Sequence, residues 1–349
     1  MRFPQAGRKH WSRAGCACGA GALAALTLTV EAAEPLTDEP GSRRAPGWFV
    51  RAGPRVLLNV EMQVEVLPGP SGAGQYDNGF VLPDISGGNL TWNWGYDSET
   101  QVAGDQLNFS RLENAPLESF RDTPVIPGAE VVAGTEFFQF DLGGQRAAWG
   151  FEMGYGFNTF TRRHRGGASG NVNYTEATHE LNGVIPPTAP YRGTFEGPGP
   201  VIGLNPDFGI AISSAAQSTF DGRVEADLHQ LKMGLWMELP LNERFSVALS
   251  GGYAPLFADA TLRYTEDLTF DNPSIPEAGP MTRKVSGHDW KPGAYAQVRL
   301  ECQASSAITA YIGGDFQYND RHSFRGAGRE VTLDFQSVFA ASAGVIFSF

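Results

Sequence analysis

Strict alternation of apolar and polar residues dominates the chain from about residue 54 onward. The clearest run is Pro54 to Val66, where every even position from Val56 to Val66 is apolar and every odd position except Leu57 is polar. A period of two residues is typical of a half-buried β-strand. No helical period of useful length occurs, so the pattern predicts an all-β protein.

Ten segments carry this alternation, and the connections between them are alternately short and long. The predicted strands are 54–66, 88–97, 101–112, 131–142, 146–162, 220–240, 244–266, 290–302, 306–319 and 330–349. An even strand number with short turns on one side and long loops on the other is typical of antiparallel up-and-down barrels that span membranes. The longest connection, 163–219, contains a further strand-like piece, so eight or twelve strands remain alternatives to ten.

The two faces of these strands differ in a way that favours a membrane barrel. The polar face is rich in Gly, Ser, Ala, Asn and Gln, which suits a narrow interior. The apolar face is bulky and carries aromatic residues near the strand ends, which suits lipid contact and interfacial girdles. These aromatic residues are Trp92, Trp94, Tyr96, Trp149, Tyr155, Phe316 and Tyr318. A soluble exported barrel, with the apolar face inside, is the alternative.

The last strand adds a resemblance to a known class. Apolar residues alternate from Phe339 through Val345 to Phe347 and the terminal Phe349. This run resembles the C-terminal signature of Gram-negative outer-membrane β-barrel proteins. The resemblance implies a location in the cell outer membrane, outer-membrane lipid as a partner, and recognition of Phe347 and Phe349 by the outer-membrane assembly machinery.

The N-terminal segment predicts export. Its first thirteen residues hold four basic side chains and no acid, and an apolar run follows from about residue 19 to Val30. Small residues then precede a cleavage point after Ala32, as in secretory signal peptides. The expected division is a signal peptide 1–32, a flexible lead-in 33–52, and a barrel 53–349 with long external loops.

Composition narrows the expected chemistry. Removing the predicted signal leaves Cys302 as the single cysteine, so neither an intramolecular disulfide nor a cysteine-based metal site is expected. The net charge of −12 argues against a nucleic-acid partner. No cofactor and no metal site are predicted.

Charged residues on the polar faces are candidates for the barrel interior. Such charges should pair across a narrow lumen, because an unpaired buried charge is costly. The predicted lumen-lining residues are Arg55, Glu61, Glu65, Glu152, Lys232, Glu238, Lys291, Arg299, Glu301, Asp315 and Asp334. They fit either a filled polar core or a thin, charge-lined conduit.

Two Asp-x-His pairs, Asp227/His229 and Asp320/His322, prompt a comparison with omptin proteases, which use an Asp–His pair at the external rim of a barrel. Both pairs fall on the lipid-facing side of their predicted strands, and no acidic Asp-x-Asp pair accompanies them. The sequence therefore predicts no catalytic residues and no enzyme.

The expected function is a structural or surface-exposed outer-membrane barrel, with a narrow porin-like channel as an option. Two other classes stay open: an outer-membrane surface hydrolase, either an omptin-like protease or an acyl hydrolase, and a soluble exported ligand-binding barrel.

Overall fold

A computed structural model describes residues 47–67, 76–142 and 145–349. The predicted signal peptide 1–32 and most of the lead-in 33–52 lie outside the described residues. A single short 3-10 helix, Glu99–Gln101, occurs among the described residues, and none of their helices is long and apolar enough to cross a membrane. The strands are β1 Trp48–Leu58, β2 Glu61–Val66, β3 Gly79–Val81, β4 Leu90–Thr91, β5 Trp94–Tyr96, β6 Val102–Ala103, β7 Gln106–Glu113, β8 Phe120–Asp122, β9 Ile126–Leu142, β10 Gln145–Glu180, β11 Tyr191–Arg192, β12 Ile202–Gly203, β13 Phe208–Pro240, β14 Phe245–Tyr253, β15 Leu256–Phe270, β16 Met281–Lys291, β17 Gly293–Gln303, β18 Ile308–Asn319, β19 His322–Gly326, β20 Arg329–Asp334 and β21 Val338–Ser348.

Eight strands close into a ring. The order around it is β1, β9, β10, β13, β14, β17, β18 and β21, and β21 returns to β1. Every pairing is antiparallel and the order follows the chain, so the ring is an up-and-down barrel. The all-β barrel fold is confirmed, with eight strands in the ring rather than ten. The last strand closes against the first, with Val56 opposite Ala341. β1 begins at Trp48, inside the predicted lead-in.

The two predicted strands that do not join the ring are 88–97 and 101–112. They break into β4 to β7, and β7 pairs with the far end of β10. Trp94 and Tyr96 are fully buried there, not placed in a lipid-facing girdle. Together with residues 178–207 they form what we call the distal cap. Alternation identifies a strand with two different faces, but it does not identify the neighbouring strand.

The predicted loop 163–219 is largely strand. β10 and β13 stay paired from Ala148 opposite Glu238 to Thr178 opposite Phe208. The segment therefore extends the two flanking strands beyond the ring and adds no further strand to the ring. At about 3.3 Å per residue, the part of this hairpin above Phe160 is about 65 Å long.

Between the ring and the distal cap lies a second tubular section, which we call the upper tier. β2, β8, β19 and β20 form one side of it, and β15 and β16 join the upper half of β13 on the other. Prolines mark the boundary with the ring on three chain passages, at Pro124, Pro255 and Pro292. A proline cannot donate to a β-ladder, so the ladder changes partners there.

The upper tier has an apolar interior. Val60, Met62 and Val64 point into it, together with side chains from every surrounding strand. On β1, by contrast, the inward residues are Arg51, Arg55 and Leu57. The inward side changes from odd to even positions at Asn59, whose φ of 64° is left-handed. A continuous alternation in the sequence is therefore divided between two opposite faces.

Three predicted lumen residues point outward because the inward side changes along the chain. Glu61 and Glu65 follow Asn59 and are exposed on the outer face, where Glu61 pairs with Arg121. Asp334 also points outward, because the inward side shifts between Phe335 and Val338. The prediction that these three carboxylates line the lumen was wrong.

Candidate functional site

Among the residues whose side chains the structure describes, eight charged ones fill the interior of the ring, and we call them the polar cluster. Their relative exposures run from 0 to 6%. Four are cationic and four are anionic: Arg51, Arg55, Lys232 and Arg299 against Glu130, Glu152, Glu301 and Asp315. The cluster is thus formally neutral. An eight-strand barrel has an interior just wide enough for side chains to fill.

Glu130 is the centre of one half of the cluster. Its carboxylate lies 2.7 Å from Lys232 Nζ, 3.4 Å from Arg51 and 3.7 Å from Arg55. Lys232 also donates to Asp315, so one ammonium on β13 joins carboxylates of β9 and β18. These contacts cross the lumen and join β1, β9, β13 and β18.

Glu152 organises the other half. Tyr295 donates to it over 2.9 Å, and Arg51 and Arg299 lie 3.5 Å away. Arg299 also donates to Glu301 over 3.0 Å and to the amide oxygen of Gln297 over 2.8 Å. Because Arg51 touches both Glu130 and Glu152, the two halves form one connected network.

Inward glycines make room for the large cations. A Cβ on Gly156 would lie 2.3 Å from a guanidinium nitrogen of Arg55, and one on Gly313 would lie 2.9 Å from the Arg299 stem. The small residues that the sequence places on the polar face therefore allow long charged side chains to lie across the lumen.

Six of the predicted lumen residues belong to this cluster: Arg55, Glu152, Lys232, Arg299, Glu301 and Asp315. Glu238 is half-buried on the inward side of β13 near the turn 241–244. Lys291 lies at the boundary with the upper tier, where it pairs with Asp289 over 2.6 Å, and it does not reach the cluster.

Arg51 and Glu130 were missed by the sequence analysis. Arg51 falls in the segment assigned to the lead-in, and Glu130 is the last residue of a segment assigned to a loop. Both residues nevertheless follow the two-residue period. Arg51 lies four residues before Arg55 on the same face of β1, and Glu130 lies two residues before Val132 on the same face of β9.

A second buried ion pair lies near the top of the upper tier. Arg329 is 1% exposed, contacts Glu266 at 2.5 Å and donates to the carbonyl of Glu118. Its guanidinium lies over the rings of Phe220 and Tyr264, with 5.1 and 5.5 Å to the centroids. Burial raises the pKa of Glu266 even though Arg329 opposes the shift.

In the described part of the chain, the aspartate and the histidine of each Asp-x-His pair do not contact each other. His229 lies on the outer surface, with Nδ1 2.6 Å from the Tyr155 hydroxyl. His322 is buried, and its Nε2 faces the carbonyl oxygen of Gly287 at 3.3 Å. In the described part of the chain, no group of three or more His, Cys, Asp or Glu side chains is placed to hold a metal ion.

The outer surface of the ring is a continuous apolar belt. Its exposed residues include Val131, Phe137, Phe138, Trp149, Met153, Tyr155, Leu231, Leu235, Phe245, Leu249, Tyr253, Val298, Leu300, Ile308, Ile312, Phe316, Tyr318, Phe339 and Phe347. Phe349 follows at 78% exposure. Along β18 the belt runs from Ile308 to Tyr318, which is about 33 Å of strand and about 25 Å of height at a typical barrel tilt.

Comparisons with known proteins find likeness in structure alone. Neither a protein-family model nor a curated protein matches the sequence. The outer membrane protein OprG from Pseudomonas aeruginosa is 7% identical, with 88% of this chain and 98% of that chain covered and a TM-score of 0.33. The outer membrane protease OmpT from Escherichia coli is 9% identical over 88% and 99%, with a TM-score of 0.28.

The architecture of the chain itself is more informative than these likenesses. It combines a closed antiparallel up-and-down ring, a buried polar interior and an exposed apolar belt with aromatic residues. Membrane-spanning barrels share this inverted distribution of polarity, with the lipid-facing side apolar and the lumen polar. The chain has the fold of the outer-membrane β-barrel class.

Proposed function

We propose that this chain is an integral outer-membrane barrel that anchors a tall surface structure and does not conduct ions. The polar cluster is the observation that carries the proposal. Eight buried charges cross the ring in mutual contact, and the apolar core of the upper tier lies directly above them. An ion on the barrel axis would have to break the ion pairs and then enter hydrocarbon, which is costly at both steps.

The apolar belt supports the membrane location. Soluble monomers rarely expose large contiguous apolar patches, and such patches mark membrane or partner contacts. The belt's height of about 25 Å matches the band of a membrane barrel. The lower end, with the turns 241–244 and 304–307, is then periplasmic, because barrels of this class have short periplasmic turns and longer external loops. The upper tier and distal cap lie outside the cell.

The C-terminal strand supports a partner. Phe347 and Phe349 point outward at the lower end of β21, where a periplasmic assembly factor could reach them before insertion. We propose that these two residues are read by the outer-membrane assembly machinery.

Conductance of the purified protein in planar bilayers tests the proposal. We expect flotation with phosphatidylcholine vesicles, heat-modifiable migration in gels, and no discrete current steps. A porin inserted into the same bilayer is the positive control. Reproducible single-channel steps that depend on this protein would contradict the sealed interior and support the porin-like alternative. A protein that stays soluble without detergent would contradict the membrane location.

A further inference from the structure

Four basic side chains form a continuous row across the outer face of the upper tier. Arg163 on β10 is opposite Arg223 on β13, Arg223 is opposite Arg263 on β15, and Arg263 is opposite Lys284 on β16. All four are exposed. Directly opposed residues of neighbouring strands share a face, with Cβ atoms about 5 Å apart. We call this set the cation row.

Like charges placed directly opposite each other destabilise a sheet, so the row calls for an anion. Two of its four members have an anionic partner within the protein, although Arg163 shares its partner with Arg165. Arg163 makes a two-point contact with Asp221, and Arg223 lies 2.7 Å from Glu225. Arg263 and Lys284 have no ion pair within the described residues. Arg263 lies between Arg223 and Lys284, so its neighbours across the strands are both cations. The uncompensated charge is therefore concentrated on β15 and β16.

The same strands carry a different set of groups below the row. Asp227 and Asp259 are opposite each other and exposed, four residues nearer the membrane than Arg223 and Arg263. Phe257 and Trp290 lie opposite each other six residues below Arg263 and Lys284, and they continue the apolar belt upward. Six residues of strand cover about 20 Å, less in height because strands tilt, and Arg and Lys side chains reach down part of that distance.

We infer that this face holds the phosphorylated sugar headgroup of a lipid in the surrounding outer leaflet. The cation row supplies donors for phosphate oxygens, and Arg in particular suits phosphate geometry. The Asp227–Asp259 pair accepts hydrogen bonds from sugar hydroxyls, which a bare phosphate ion does not provide. The apolar belt beneath the row on the same strands provides the surface for the acyl chains. The inference rests on the proposed membrane location.

A double variant removes the uncompensated charge. Arg263→Gln with Lys284→Gln lies on the exposed surface, so its fold should be retained. The matched control is Arg111→Gln with Arg121→Gln, which removes two exposed cations elsewhere, with side-chain exposures of 64% and 61%. Lipid retention by detergent-solubilised protein is measured by native mass spectrometry. The probes are a diphosphorylated glucosamine lipid, its dephosphorylated form, phosphatidylglycerol and inorganic phosphate.

We expect the wild-type protein and the control variant to retain the diphosphorylated glycolipid. The double variant should bind it about tenfold more weakly, as expected from losing two charge contacts of about 0.7 kcal/mol each. Phosphatidylglycerol and the dephosphorylated lipid should bind more weakly, and millimolar phosphate should not compete. Equal retention by the double variant, or equal retention of phosphatidylglycerol, would overturn the inference. Flotation with phosphatidylcholine vesicles is measured on the same samples, so a failure of membrane insertion is distinguished from a failure of lipid selectivity.

Discussion

At the scale of single residues, the buried charges of the ring are the most consequential groups. Buried ion pairs are weak evidence for added stability, because desolvation offsets much of the Coulomb attraction. Removing one partner is different, since it leaves an uncompensated charge in the interior. The network thus makes each of its members hard to replace alone.

Lys232 offers the sharpest test of this coupling, because it is the cation shared by Glu130 and Asp315. We expect Lys232→Met to lower the free energy of unfolding by about 3 kcal/mol, since Asp315 then has no cation within reach. Adding Asp315→Asn should recover part of that loss. Urea unfolding in lipid vesicles measures both, with Arg111→Met as an exposed control that should stay within about 0.5 kcal/mol of wild type. Strictly additive losses would show that the two side chains do not interact.

His322 gives a pH dependence outside the ring. Burial lowers the pKa of its imidazole and Lys291 lowers it further, although the Gly287 carbonyl, Asp289 and Asp259 oppose the shift. A histidine whose pKa is lower in the folded state takes up protons first in the unfolded state, so stability falls as the pH drops below about 6.5.

We therefore expect His322→Gln to lose less unfolding free energy than wild type when the pH is lowered from 7.5 to 5. Glutamine retains a donor for the Gly287 carbonyl but does not titrate. The exposed His288→Gln should keep the wild-type dependence. Identical pH slopes for wild type and His322→Gln, from urea unfolding at several pH values, would rule out a role for His322.

At the scale of elements, the backbone conformation of Asn59 separates the wall of the ring, with charged residues inside, from the wall of the upper tier, with apolar residues inside. Asn59, in the left-handed region, ends β1 and lets β2 present the opposite parity to the interior. Its side-chain amide also donates to the carbonyl of Ser337 over 2.8 Å, which ties it to the chain passage between β20 and β21. That passage contains the shift of inward side that places Asp334 outside.

Substitutions at Asn59 test this role. Asn59→Gly and Asn59→Val both lose the amide contact, but only valine pays the steric cost of positive φ. We expect Asn59→Val to be less stable than Asn59→Gly by about 1–2 kcal/mol in urea unfolding. Equal stabilities would mean that the left-handed conformation at residue 59 is not required.

The same elements show how far the sequence could predict the fold. Alternation located every ring strand, because each has one face toward lipid and one toward the lumen. It could not reveal that Val56 and Val60 face opposite sides, since both occupy even positions of an unbroken pattern. Nor could it separate Trp94 and Tyr96 in the distal cap from lipid-facing aromatics, because burial in a core and exposure to hydrocarbon favour the same side chains.

Part of the candidate site was predictable for a similar reason. Charged residues in the middle of an alternating strand, such as Glu152, Lys232 and Arg299, had to face either the lumen or lipid, and lipid is excluded by cost. Glu61 and Glu65 carried the same signal but lie in the upper tier, where the outer face meets water. A two-residue period does not indicate at which residue a strand leaves the membrane.

At the scale of the whole molecule, the interior changes character along the β10–β13 hairpin. The ring is filled by the polar cluster, the upper tier by hydrocarbon, and the distal cap by a separate aromatic core that includes Trp94 and Tyr96. The upper tier combines an apolar interior with exposed charges such as Arg163, Arg223 and Arg263, whereas the ring combines a polar interior with an apolar outer surface. This inversion along a single pair of strands is the physical basis for placing the ring, and not the upper tier, in lipid.

Cysteine labelling on intact cells tests that placement. Ile185 in the distal cap is 87% exposed, and Leu241 in a turn at the opposite end is 55% exposed. With Cys302→Ser as background, we expect Ile185→Cys to react with a membrane-impermeant maleimide on intact cells. Leu241→Cys should react only after the outer membrane is permeabilised, because the apolar belt separates the two positions. Labelling of both cysteines before permeabilisation, or labelling in the reverse order, would contradict a ring that lies in the membrane with the distal cap outside the cell.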